Sequence, residues 1–546
     1  MPQSNKVNLK VQELSGFDKS FYHDLTANVG TLVPALFDEV IANSTINLNV
    51  AASVSLPPLA SDTFMKCDLK LEAFACPLRL LFGGFERFFI DQPGWYFEGD
   101  ESLDYNSYVP YISIGSNWEH VPQVFDKGSL SDYLGLKLAS SYYSGAKFSL
   151  LPYLCYAKVY DDWYRQPLVQ KQLFSDGLIT GSDVVSGASL NVCNMPHITF
   201  PNTQIAGFSY DYSDDNFWMY FGDGSTVFSL RQRNYGFDYF TNAWPTLQAG
   251  TAQSLQVDSN GKFSIAQLRV ANSFQQFEER NNFAPRYYES IRARYGNSVS
   301  HAVVQRPVFL GSATIPVKSY GVDVQGINIA ADPASPTQRN PFADSAGAQL
   351  GRARGEGFVN LIDNFHVEEP SYIMVLASLV PRAVYSSGVS RIFDRYFRAG
   401  GITDMANPLL QNVGNQPIWE WELNGRLGLG RENSFGYTDR YADWMTCPDR
   451  VSGELRENGS LEAFVLKRDF ENQNVSLGSN FLEIPTTALN EVSATTDTLS
   501  GYGAWMQFGF DYKVVQPLAL YSLPSLQDPA YEHGKNIEVY RGGFHF

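Results

Sequence analysis

The sequence predicts a mainly β fold of antiparallel strands joined by long loop insertions, with only a few helices. Two observations carry the prediction. Well-separated stretches alternate apolar and polar residues with a period of two, as strands with one buried and one exposed or contacting side do. The 546 residues are 14% aromatic and only 18% charged, with 44 glycines and 28 prolines. That composition suits short strands and ordered loops better than helical bundles or disorder. A third observation marks the exception, a helical hairpin near 264–296.

In chain order, residues 1–15 are polar and read as an extended arm. Ser44 to Leu56 follows as a strand, with Ile46, Leu48 and Val50 alternating with Asn47 and Asn49, and Pro57-Pro58 ends it. Lys66 to Pro77 is the clearest strand, setting Cys67, Leu69, Leu71, Ala73 and Ala75 against Lys66, Asp68, Lys70 and Glu72. An aromatic-rich loop runs to Pro122, and Tyr160 to Arg165 reads as a short helix carrying aromatic anchors. Residues 166–233, rich in Gly, Asp, Asn and aromatics, are a candidate exposed insertion.

Ser264 with Gln267 is a capping box, and Ile265, Leu268, Ala271, Phe274 and Phe277 recur behind it at helical spacing. This helix should stop near Asn281-Asn282. Pro285 can begin a second, with Tyr287, Tyr288, Ile291 and Tyr295 as its apolar side and Gly296 as its stop. Ile315 to Ile329 reads as strand, and Ala330 to Glu356, rich in Ala, Gly, Pro and Ser, reads as a loop. Phe365 to Arg391 contains a nearly continuous apolar run, as a strand buried on both faces would. Residues 396–500 form a loop-rich insertion before a last strand, in which Ala504, Met506, Phe508, Phe510 and Tyr512 alternate with Gln507, Gly509 and Asp511, Trp505 excepted. No repeat of 20 to 50 residues and no linker divides the chain, so 1–546 is expected to be one domain.

Forty basic against fifty-seven acidic residues give a net charge of −17, a poor balance for wrapping phosphate backbone unaided. The five cysteines are scattered without CxxC spacing, which suggests free thiols rather than a zinc site or disulfide framework. The N-terminus has no signal-peptide pattern, and the longest apolar stretch, Tyr372 to Val380, is about half a membrane span. A soluble, cytoplasmically made chain is expected.

Enzymatic constellations are missing. There is no GxSxG elbow or phosphate-binding loop, and the seven histidines never fall in HxH or HExxH spacing. Glu368-Glu369 would point to opposite faces of a strand, and Asp161-Asp162 would sit about 100° apart on a helix, so neither pair converges on one bond. Asp211, Asp214, Asp215, Asn216 and Asp223 make an oxygen-rich loop without EF-hand spacing, open to a cation or simply solvated. No catalytic, cofactor or metal residue is assigned. The arginines are more suggestive: Arg382, Arg391, Arg395 and Arg398 follow the buried strand, and Arg440, Arg450 and Arg456 lie further on. They could bridge subunits, meet phosphate groups or form intrachain salt bridges.

Several blocks in series carry a family resemblance: Leu268-Arg269, Glu279-Arg280, Arg286-Tyr287-x-Glu289, Arg294-Tyr295-Gly296 and Arg306-Pro307-x-Phe309-Leu310-Gly311. Further blocks are Ser15-Gly16-Phe17-Asp18, Pro381-Arg382 with Tyr385, Gly388 and Arg391, and Arg440-Tyr441-Ala442. In these the chain resembles the major capsid protein of the Microviridae, small icosahedral phages with single-stranded DNA, and particularly their gokushovirus-like branch. The resemblance selects a jelly roll among the β architectures the pattern allows. It marks Arg286, Tyr287, Glu289, Arg306, Pro307, Gly311, Arg382, Tyr385, Gly388, Arg391, Arg440 and Tyr441 as structural or subunit-contact positions.

It also implies sixty copies grouped as pentamers in an icosahedral shell around the genome, inside a virion assembled in the host cytoplasm. The implied partners are an internal scaffolding protein, a small basic DNA-binding peptide, packaged single-stranded DNA and a host receptor, which could be a glycan. One departure stands out. Gokushoviruses carry a long insertion before the hairpin, associated with threefold protrusions, where this chain has only Thr251 to Phe263. Residues 166–233 are therefore the better candidate for exposed variable surface. The rival reading is a carbohydrate-binding or carbohydrate-active jelly roll, which would need a paired carboxylate site.

Overall fold

The computed structural model describes residues 14–81, 85, 89, 109, 111–113, 125–137, 147–173, 198–199, 227–246, 264–283, 286–296, 305–324, 349–394, 415–428, 433–471, 473–493 and 503–518. The strands are β1 (Ser15–Asp18), β2 (Phe21–Ala27), β3 (Val33–Val40), β4 (Ser44–Ser55), β5 (Cys67–Pro77), β6 (Tyr111–Ser113), β7 (Lys147–Ser149), β8 (Ile198–Thr199), β9 (Val308–Val324), β10 (Gln349–Val367), β11 (Ser371–Pro381), β12 (Asn415–Trp419), β13 (Ser434–Asp439) and β14 (Ala504–Gln516). The longer helices are α1 (Leu151–Val159), α2 (Ile265–Phe283) and α3 (Tyr287–Tyr295).

One antiparallel sheet runs β1-β14-β4-β10-β9-β5-β11-β3, with β2 also paired to β14. Its two ends meet through side chains. Tyr512 of β14 donates to Asp38 of β3 at 2.9 Å, Lys19 pairs with the same carboxylate, and the His23 ring of β2 lies 2.7 Å from the Ala35 carbonyl of β3. Strands at opposite edges can touch only if the sheet curls on itself. It is a jelly-roll-like half-barrel, and the inward residues fill it. Ile46, Leu48 and Val50 of β4, Leu69 and Leu71 of β5, and Phe508 and Phe510 of β14 belong to one buried core. The period-two patterns of β4, β5 and β14 are the physical record of that inside face.

β11 is buried along its whole length. Ile373, Val375, Ala377 and Leu379 enter the barrel core, while Tyr372, Met374 and Leu376 meet a second core built on Leu151, Tyr153, Leu154 and Tyr156 of α1. A strand covered on both faces loses its alternation, which explains its continuous apolar run.

Residues expected as a loop up to Glu356 are corrected by the structure: β10 begins at Gln349. The run Gly351-Arg352-Ala353-Arg354-Gly355-Glu356 looks like a loop by composition. Its burial nevertheless alternates, with glycine or alanine inward and charges outward. Glycine is needed there, because a Cβ on Gly351 would lie 2.2 Å from the Ser61 carbonyl oxygen. Residues 330–348 lie outside the described residues, as do 1–13 of the expected arm.

The described part of 396–500 holds the β12–β13 hairpin and several single turns. Leu466, Val475, Phe481, Leu482, Ile484, Leu489 and Val492 from it pack into the barrel core. Of 166–233, residues 174–197 and 200–226 lie outside the described residues, the acidic 211–223 loop included.

Candidate functional site: an arginine cleft beside the helical hairpin

The capping box at the start of α2 forms as expected, Gln267 N–H donating to Ser264 Oγ at 3.2 Å and Ser264 N–H to Gln267 Oε1 at 3.0 Å. α2 ends at Phe283, close to the expected Asn281-Asn282 stop. Gly296 closes α3 in the left-handed conformation, with φ 68°. None of the described apolar residues of the hairpin belongs to either core: Ile265 is 71% exposed and Tyr287 68%.

Between the hairpin and the sheet lies a cleft of about 910 Å³. Its floor is made by residues that follow α1. The helix is buried almost throughout, and it widens at Tyr160–Tyr164 into a π-turn before Arg165 turns extended. Asp161 of this turn pairs with Arg165 at 2.6 Å and accepts the Leu173 N–H at 3.1 Å. Asp162 pairs with the fully buried Lys158 at 3.0 Å, although burial still lifts its carboxyl above the ordinary range. The two carboxylates thus serve different cations and do not converge on a common point. Glu369, of the other pair considered, is bound to Arg79 at 2.7 Å.

Two arginines cap the turn. Arg286, which precedes α3, donates to the carbonyls of Asp161 (3.2 Å) and Arg165 (2.6 Å). Arg306 donates to the Asp162 carbonyl at 2.8 Å, stacks 3.7 Å from the Trp163 ring centroid, and keeps its Nε buried without an acceptor. The Trp163 indole N–H in turn reaches the Pro307 carbonyl at 3.1 Å. Neither Arg286 nor Arg306 has a carboxylate within ion-pair distance among the described residues. Burial and the neighbouring Arg306 charge lower the Arg286 guanidinium to about 10.

The opposite wall is a buried ion pair. Arg233 donates twice to Glu72, at 2.6 and 2.9 Å, and Tyr164 donates to the same carboxylate at 2.5 Å. Burial pushes Glu72 up, but these partners more than offset it and hold the carboxyl below its ordinary value.

The structure therefore brings Arg286, Arg306 and Pro307 together, with Glu289 lining the same cleft. Tyr287 stands exposed. Gly311 lies at a register shift between β5 and β9, where a Cβ would come within 2.1 Å of the Leu361 carbonyl oxygen. Its role is close backbone approach.

The remaining positions form a second group beyond β11. Tyr385 donates to Asp238 at 2.7 Å. Gly388, at φ +101°, backs onto the Glu422 carbonyl oxygen, which a Cβ would meet at 2.1 Å. Arg391 donates to the Pro417 carbonyl at 2.8 Å and lies 3.7 Å from Glu422. Arg382 pairs with Asp449 at 2.6 Å, and Arg440 stacks 5.3 Å from the Tyr441 ring centroid. Tyr441 sits at φ 66° and its N–H donates to Gln416. Arg395 and Arg398 lie outside the described residues.

Sequence reading missed Trp163, Arg165, Arg233 and Glu72 as parts of one site. The Lys158–Asp162 and Asp161–Arg165 spacings of four were a usable signal for a paired helical turn. Nothing local announces Arg233, whose partner lies 161 positions away. Among the described residues no group of three metal-capable side chains converges, and no helix is long and apolar enough to cross a membrane.

Comparison with known proteins agrees with this fold. The model of the family described as capsid protein (F protein) matches residues 6–263 and 258–526. The chain is 23% identical to capsid protein VP1 of Chlamydia phage 1, covering 94% of this chain and 96% of that protein. It is 23% identical to capsid protein VP1 of Bdellovibrio phage phiMH2K, over 94% and 95% of the two chains. With capsid protein VP1 of Spiroplasma virus 4 the identity is 24%, over 92% and 93%. A capsid protein is a virion component, and with the family model matched along nearly its whole length, this chain belongs to the capsid (F) protein family of the Microviridae.

Proposed function

We propose that the chain is the major shell subunit of a small single-stranded DNA phage, self-assembling as sixty copies grouped in pentamers. The observation that carries the reading is the family match along almost the entire chain. The surface supports it. Ile265, Leu268, Val270 and Phe274 on α2, and Ile392, Phe393, Trp444 and Met445 beyond β11, are exposed in a single subunit. Apolar side chains of this size are buried when copies pack by symmetry.

The function is structural, with no catalytic step. Assembly takes place in the host cytoplasm, aided by an internal scaffolding protein and a small basic DNA-binding peptide, with a host receptor engaged from outside. The carbohydrate reading loses ground because Asp161, Asp162 and Glu369 are each held by a separate cation.

The test is the native mass of purified material by light scattering, with negative-stain images. A closed shell of sixty 61.0 kDa chains has a mass of roughly 3.7 MDa. A chain that stays monomeric in the presence of its phage partners refutes the reading.

A further inference from the structure

Two cysteines that are far apart in sequence meet in the second core. Cys76, on β5, and Cys155, on α1, are both fully buried there. Their thiols are hydrogen-bonded to one another. The contact follows from the fold. Phe74 and Cys76 share the face of β5 that turns away from the barrel, and the chain leaving α1 sets the Trp163 ring 5.7 Å from that of Phe74. Tyr372 of β11, in register with Cys76, stands beside both thiols. Cys67 precedes Cys76 on the same strand by an odd number of positions, so it falls on the opposite face, in the barrel core. Cys447 is exposed, and Cys193 lies outside the described residues.

We propose that Cys76 and Cys155 form a redox site, two thiols in a reducing cytoplasm and an intrachain disulfide once the folded chain meets a peroxide. One thiol gives up its proton, and its sulfur attacks a peroxide oxygen and expels hydroxide, leaving a sulfenic acid. The other sulfur then attacks the sulfenic sulfur, the S–S bond forms, and the hydroxyl leaves as water. Two thiols are oxidised and one hydrogen peroxide is reduced to two waters. Hydrogen-bond contact puts the sulfurs within reach of one another, the first requirement of a bridge. Service as small apolar filler explains the burial of both residues but does not require the sulfurs to meet. Burial, and then the Cys76 thiol, hold the Cys155 thiol well above its ordinary value, so the closed core keeps it protonated and slow to react. The bridge therefore forms as α1 opens from the sheet. Once made, it ties β5 to the helix that runs into the π-turn under the cleft. The timing, after release from the host, rests on the capsid reading; the bond chemistry does not.

The experiment uses the full-length subunit, reduced, freed of reductant and exposed to hydrogen peroxide overnight, in buffer and in urea below the unfolding transition. Remaining thiols are alkylated under denaturing conditions, and the digest is mapped by mass spectrometry with and without reductant. The expected product is one linked species holding the Cys76 and Cys155 peptides, which separates on reduction, while Cys67 and Cys447 stay out of any bridge. It should form faster in urea than in buffer, because opening of the core sets the rate. The oxidised subunit should melt higher than the reduced one by roughly 5 °C, the effect of closing a loop of about 80 residues. Cys155→Ala should show neither the linked species nor the oxidant-dependent rise.

Wild-type protein in which Cys76 and Cys155 are both still alkylated after oxidation in urea overturns the proposal, and this readout does not depend on the variant folding. So does a bridge from either residue to Cys67, Cys193 or Cys447, or oxidation of each sulfur separately to a sulfinic acid. Light scattering of the reduced and oxidised material reads the shell separately. Particles of normal mass without the bridge discard the redox site and leave the capsid reading standing, whereas a bridged chain that stays monomeric with its phage partners present keeps the redox site and removes the capsid reading.

Discussion

The Glu72–Arg233 pair ties the outer face of β5 to the segment that crosses it, and removing one partner tests how far the cleft wall depends on it. Glu72→Ala leaves the Arg233 guanidinium, among the described residues, with the Ser378 hydroxyl, 3.0 Å away, and Tyr164, whose ring centroid is 5.2 Å off, but no carboxylate. The Arg233 side chain is 14% exposed, so water cannot replace the two missing hydrogen bonds in full. Stranding one member of a buried pair costs about 3–5 kcal/mol. Replacing both by unbranched apolar residues, Glu72→Met with Arg233→Met, removes the stranded charge and should recover part of that loss.

The assay is urea unfolding of the dissociated subunit, single variants against the double. The cycle should show a coupling of about 2 kcal/mol or more, within the range for contacting residues. A single variant that costs under about 1 kcal/mol, or additive effects across the cycle, would refute the reasoning. The pair also has a pH signature. Because the folded carboxyl of Glu72 lies below its ordinary 4.5, its contribution is present above that value and lost as pH falls through the folded value.

The other predictions concern backbone strain and a buried carboxyl. Gly388 and Gly321 share φ +101°, but of the two only Gly388 has a backbone oxygen where a Cβ would go. Gly321→Ala should therefore cost about 1–2 kcal/mol from backbone strain alone, and Gly388→Ala about 4 kcal/mol or more, compared by thermal melts. Burial pushes the Glu422 carboxyl from 4.5 up to about 7 in spite of Arg391. A raised folded value stabilises below 4.5 and loses that contribution as pH rises through about 7, amounting to roughly 3 kcal/mol. Glu422→Gln should flatten the stability profile across this window, and a profile identical to wild type counts against the assignment.

The strands with one buried face were legible from their period, and the hairpin from its capping box and Gly296, because both signals are local. The family was legible from short blocks in series. The start of β10 was not, because its inward positions are Gly351, Ala353 and Gly355, small for close backbone approach, and glycine in a sequence reads as a turn. The apolar side of the hairpin was visible as a pattern, but whether it is covered is a question of neighbours, and within one subunit Ile265, Leu268, Phe274, Tyr287 and Tyr295 stand open.

The cleft is the clearest case of what the sequence alone leaves undetermined. Glu72, Trp163, Arg233, Arg286 and Arg306 come from five separate segments, and their charges cancel or accumulate only once the sheet has curled and the π-turn is seated against it. Periodicity reports what each residue does relative to its own strand or helix. Which cations find carboxylates, and which are left facing one another, is set by contacts between residues more than a hundred positions apart, and only the tertiary structure decides those.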